Sequence, residues 1–136
     1  MYALRRRHPL LAPAATAAAV TALVAYVGAV DPNQHGHYPT CPFFYLTGLY
    51  CPGCGALRMI HALAHGHFAE AFGRNALLFC ALPFLAVIFV RWTLRQARGR
   101  PRIITADPRL LWALFAVIIT FWVLRNIPYF HVLAPT

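Results

Sequence analysis

The sequence has almost no acid. Three carboxylates, Asp31, Glu70 and Asp107, stand in different segments of a 136-residue chain, and lysine is missing altogether. So few acids exclude paired-carboxylate chemistry, and any general acid–base step would fall to histidine. No Ser-His-Asp arrangement and no phosphate-binding glycine loop is present. Charged residues make up only 11% of the chain against 60% hydrophobic, too little polar surface for an ordinary soluble domain. Internal repeats and low-complexity linkers are also lacking, apart from an alanine-rich first segment, and the length bounds the chain to a single domain over 1–136.

What charge there is comes from arginine, twelve residues of it, for a formal net charge of +9. That excess invites a nucleic-acid reading. The arginines cluster beside hydrophobic runs, however, and no basic face interleaved with stacking aromatics accompanies them. The expected partner is therefore the lipid bilayer, together with other membrane proteins, and no nucleic acid.

Three apolar runs carry this expectation. Residues 10–30 follow Arg5-Arg6-Arg7 and contain no charge until Asp31; as a helix they reach ~31 Å, enough to cross a bilayer core. A basic start and an apolar run also describe a signal peptide, but this run exceeds a typical signal core, so an uncleaved helix is expected. Residues 76–92 form the second run, opened by Asn75 as cap and bent by Pro83. Cys80 lies within it and reads as a small buried residue. Residues 110–127 form the third, entered through Asp107-Pro108, with Arg125 near the end placed to snorkel to the interface.

One stretch departs from this pattern. Cys41 to Arg58 reads C-P-F-F-Y-L-T-G-L-Y-C-P-G-C-G-A-L-R and holds three of the four cysteines. Two residues between Cys51 and Cys54 let both sulfurs turn to one side, as a shared metal ion, a disulfide or a dithiol redox pair requires. Thr47-Gly48 marks a turn that brings Cys41 back towards them. Residues 56–72 are too short and too interrupted to span, and read as an interfacial or re-entrant helix with Leu57, Ile60, Leu63 and Ala64 on its apolar face; Gly66 ends its first part and residues 68–72 add a turn or two. Cys54 near a helix N-terminus predicts a stabilised thiolate. Cys54, Arg58, His61 and His65 share one helical stripe, which makes Arg58 a candidate contact for a thiolate, an anion or a lipid headgroup. The preceding loop, residues 31–40, adds His35 and His37.

The pattern C-P-x4-T-G-x2-C-P-x-C-G-x2-R, followed by H-G-x-F-x-x-A-F-x-x-N before a hydrophobic span, resembles a family of small bacterial integral membrane proteins of unknown function. The matching residues are Cys41, Pro42, Thr47, Gly48, Cys51, Pro52, Cys54, Gly55, Arg58, His65, Gly66, Phe68, Ala71 and Asn75. The resemblance implies a membrane fold and brings no established activity.

Arginine counts predict a topology. Nine arginines lie in the N-terminus and in the 91–109 loop, against Arg58, Arg74 and Arg125 on the opposite side. By the positive-inside rule the N-terminus and the arginine loop are cytoplasmic and the cysteine motif faces outward, where disulfides are permitted. The expected architecture is all-α: three transmembrane helices plus a short re-entrant or interfacial helix, with motif and helix together covering 41–72. The expected role is a non-catalytic cell-membrane module with a structural cysteine-rich outer element. The alternative is a zinc-binding or thiol-redox enzyme or accessory factor built on Cys41, Cys51 and Cys54, with zinc as candidate cofactor and His37 or His61 completing a Cys3His set. Gly55 stands where haem attachment needs histidine.

Overall fold

A computed structural model describes residues 9–34, 36–39, 41–99 and 107–133. Arg5, Arg6, Arg7, His35, Arg100 and Arg102 lie outside the described residues. The helices are α1 (Leu11–Ala29), α2 (Pro42–Thr47), α3 (Ala56–Ala64), α4 (Phe68–Arg74), α5 (Ala76–Ala97) and α6 (Pro108–Arg125), followed by a 3-10 segment, Pro128–Leu133. No strand occurs among the described residues.

Three helices are long and apolar enough to cross a membrane: α1 with 19 residues, α5 with 22 and α6 with 18. Their lengths correspond to ~27–33 Å of rise, matching a hydrocarbon core of about 30 Å. Most of their side chains are exposed on the isolated chain. A polypeptide can leave such a surface uncovered only where the surrounding medium is itself apolar, and helices satisfy their own backbone bonds there. Pro83 sits inside α5 without ending it. Cys80 is exposed on α5 and not buried as its size suggested.

The helix ends are specified locally. Asn75 accepts from the Leu78 amide at 3.0 Å and Asp107 from the Arg109 amide at 2.9 Å, each capping the span that follows. At the end of α1 the freed carbonyls go to side chains. Val27 bonds Nδ1 of His61 at 2.8 Å and Val30 accepts from the Tyr38 hydroxyl at 3.1 Å. The non-spanning segment is two helices, broken at Gly66 as expected, the second running on to Arg74. Gly66 takes a left-handed φ of 77° and the His67 amide returns to Ala62 at 2.8 Å, which closes α3 before α4 begins. A further short helix, α2, precedes the Thr47-Gly48 turn.

The core is small and lies at one end of the bundle. Met59, Ala62 and Ala71 are buried, with Ile60, Leu63, Leu78, Phe79 and Leu82 packed around them. The inward face of α3 is therefore the Met59–Ala62 side, and Leu57 points outward at 39% exposure. The reason is that α3 serves two neighbours, α1 and α4. Gly28 makes the α1 contact close: a Cβ at that position would stand 3.3 Å from the Ala64 Cβ.

This core joins the C-terminal end of α1, the N-terminal end of α5 and, through Arg125 and Asn126, the C-terminal end of α6. Arg95 and Arg98 lie at the far end of α5, ~30 Å of helix away, and Arg109 at the far end of α6.

Candidate functional site: a three-cysteine cluster on a clamped loop

Cys41 precedes α2 as its N-cap residue, with Pro42 in the first helical position. Cys51 and Cys54 flank the Pro52-Gly53 turn, closed by a bond from the Cys54 amide to the Cys51 carbonyl at 3.1 Å. Gly55 then takes φ 83° to start α3, a conformation that a residue with a Cβ enters at a cost. The C-P-G-C-G spacing thus produces a tight loop with both sulfurs on one side.

The three sulfurs meet. Cys51 and Cys54 Sγ are 3.0 Å apart, Cys41 and Cys51 Sγ 3.5 Å apart, and all three lie within 4.8 Å of one another. The Cys51 amide points at Cys54 Sγ at 3.2 Å. The three thiols are half-buried. Such a set could hold one thiophilic ion, since ~2.3 Å metal–sulfur bonds in a tetrahedron place sulfurs about 3.8 Å apart.

Their acidities diverge. Burial pushes the Cys54 thiol up to about 12, and the neighbouring Cys51 and Cys41 thiols reinforce the shift. The expected stabilised thiolate at Cys54 is therefore not what this loop makes. The Phe44 amide, in the first turn of α2, draws Cys41 below its ordinary value instead.

The loop carrying Cys51 and Cys54 is held by three side chains from two other elements. The Arg125 guanidinium donates through Nη1 to the carbonyls of Cys51 (2.9 Å) and Pro52 (3.2 Å), and through Nη2 to that of Cys54 (3.2 Å). Asn75 Nδ2 donates to Pro52 at 3.0 Å and to Cys54 at 3.2 Å, while its Oδ1 caps α5. Asn126 brackets Tyr50, accepting from its amide at 2.8 Å and donating to its carbonyl at 2.9 Å. Arg125 and Asn75 are 2% and 1% exposed. Arg125 therefore does not snorkel; it turns inward.

The other residues singled out from the sequence lie elsewhere. His61 stands between α3 and the end of α1. A carbonyl only accepts, so Nδ1 carries the hydrogen towards Val27, and Nε2 faces Asp31 at 3.9 Å. The Asn33 amide, more than His61, lowers the Asp31 carboxyl. His61 and His37 do not join the sulfur cluster, and no fourth histidine or carboxylate ligand joins it among the described residues. Arg58 is half-buried and makes no hydrogen bond or ion pair with a described residue. The guanidinium at the loop comes from Arg125, 71 positions after Cys54. Sequence spacing had no means of finding that contact. The one available signal was an arginine inside an apolar helix, a position that is costly unless something polar receives it.

No curated protein and no solved structure matches the chain. Residues 41–89, which run from the first cysteine of the cluster through α2, α3, α4 and most of α5, match the family model described as a protein of unknown function, DUF2752.

Proposed function

We propose that the chain is a non-catalytic multi-pass membrane module whose cysteine cluster is a structural centre, locking the non-spanning element onto the ends of the spans. The observation that supports it most directly is the clamping of the 51–54 loop by Arg125 and Asn75. Every carbonyl of Cys51, Pro52 and Cys54 is engaged, and the sulfurs have neither an adjacent acid nor an adjacent histidine among the described residues. Thiol chemistry needs an accessible, readily ionised sulfur; Cys54 resists ionisation, and the sulfur drawn the other way is Cys41, outside the Cys51–Cys54 pair.

Orientation follows from charge. With Arg95, Arg98 and Arg109 at the end away from the cluster, the positive-inside rule places the cluster on the outer side and the arginine loop in the cytoplasm.

A dithiol redox role is the second reading, favoured by the 3.0 Å approach of Cys51 and Cys54. Mass-shift alkylation of membranes separates the two. The structural reading expects all three clustered thiols to resist labelling in the native state and to label fully after denaturation without reductant. A pool in which Cys51 and Cys54 label only after reduction, and which changes size with ambient thiol poise, would overturn it.

A further inference from the structure

Arg125 is a buried cation without a counter-charge. Its side chain is 2% exposed, and no carboxylate lies within ion-pair reach of it among the described residues. Its Nε is buried with no hydrogen-bond partner there. The Phe121 ring at 5.0 Å and the Tyr50 ring at 5.9 Å offer cation–π attraction, which softens a buried charge and does not neutralise it.

Hydrogen bonding alone does not explain the residue. Each of the three carbonyls it reaches already has another donor. Cys51 accepts from the Cys54 amide, and Pro52 and Cys54 both accept from Asn75. A neutral side chain at position 125 would leave none of them orphaned. What Arg125 adds is a positive charge on the backbone of two of the three clustered cysteines.

Charge bookkeeping, taken with the convergence of the sulfurs, narrows their states: a lone metal-free thiolate would also balance Arg125, but it gives no reason for three sulfurs to lie within 4.8 Å of one another. Three protonated thiols are neutral, and a disulfide plus one thiol is neutral; both leave Arg125 uncompensated. Three thiolates around a monovalent ion carry two net negative charges. Three thiolates around a divalent ion carry one, which Arg125 balances. We infer that Cys41, Cys51 and Cys54 bind one divalent thiophilic cation of the zinc type as a singly negative tris-thiolate centre, and that Arg125 is its buried counter-charge. Binding displaces three thiol protons to solvent and forms three metal–sulfur bonds, with no change of oxidation state. The Cys51 amide directed at Cys54 Sγ is placed to support a thiolate, as outer hydrogen bonds to metal ligands do. The inference rests on the structural reading in taking the same three cysteines as one centre.

The test uses purified full-length chain in detergent, zinc as probe, and competition against a chromophoric chelator at fixed pH. Cobalt substitution reports thiolate ligation through its charge-transfer band. Wild type should bind one zinc per chain with three-thiolate cobalt spectra, and Cys54→Ser should lose both. Arg125→Gln should weaken zinc affinity ~10–100-fold, the usual size of an outer-shell loss. Arg125→Lys decides the role even if the glutamine variant does not fold. A counter-charge is kept by lysine, so affinity should stay within a few-fold of wild type. A loop-holding fork is not kept, so a loss of about tenfold or more from wild type in Arg125→Lys would overturn the counter-charge assignment. Absence of zinc binding by wild type would overturn the whole inference. The structural reading would still stand if Cys54→Ser lowered the thermal midpoint of the metal-free protein, and would fall with it if the midpoint did not move.

Discussion

At the residue scale, the cluster's chemistry is set by crowding. Cys54 ordinarily ionises near 9.0 and is pushed up to about 12 by burial beside two other thiols. The sign of the stability effect follows. As pH rises past 9 the unfolded chain loses this proton and the folded chain keeps it, so the unfolded state is favoured increasingly up to about 12. In metal-free protein, the thermal midpoint should fall through that window, and Cys54→Ala should flatten the fall. Superimposable pH profiles for the two proteins would show that Cys54 is not held neutral by its surroundings. Zinc should abolish the effect, because a cation supplies the charge that the cluster lacks.

Asn75 acts on two elements at once, as cap of α5 and as donor to the 51–54 loop. A lost cap costs about 1 kcal/mol and each lost buried hydrogen bond a similar amount. Asn75→Ala should therefore destabilise the protein by roughly 2–3 kcal/mol in denaturant or thermal unfolding. Arg125 would retain the carbonyls, which keeps the loss below that of a fully orphaned loop. A change below about 0.5 kcal/mol would mean that the loop is held without it.

At the scale of elements, hydropathy and capping chemistry made the spans legible. Asn75 and Asp107-Pro108 begin helices where cap residues and a first-turn proline are expected. The division of residues 56–72 was legible too, because Gly66 between His65 and His67 interrupts the apolar positions and marks a helix end. Of the apolar face expected on α3, Ile60 and Leu63 pack against the core and Leu57 does not: periodicity identifies one apolar stripe, whereas α3 packs on α1 and α4 together and buries Met59 and Ala62 as well. The cysteine loop was local and therefore readable from C-P-G-C-G. Its clamp by Arg125 and Asn126 joins residues more than 70 positions apart, beyond any local pattern. The α1–α3 contact makes its own prediction. Close approach at Gly28 leaves little room beside Ala64. Gly28→Leu should cost about 1–3 kcal/mol by overpacking, and Ala64→Gly should restore part of it. Additive losses in the double variant would show that the two residues do not share this contact.

At the scale of the whole molecule, the ends of three spans converge on one small core while the rest of each span presents apolar surface. The structure is tied at the end where the cysteines lie, and the arginines of α5 and the start of α6 gather at the other. If the cluster is outside, a single reactive cysteine at Asn33 should label on intact cells with a membrane-impermeant reagent, and one at Arg98 should label only after permeabilisation. The reverse pattern would invert the topology.

The claim that the three cysteines form one structural centre is tested most directly by thermal unfolding of Cys41→Ser, Cys51→Ser, Cys54→Ser and the triple variant, with and without zinc. A shared centre predicts that each single change removes most of the stabilisation and that the triple variant is scarcely worse than the singles. Three independent, additive losses, or singles indistinguishable from wild type in both conditions, would contradict it.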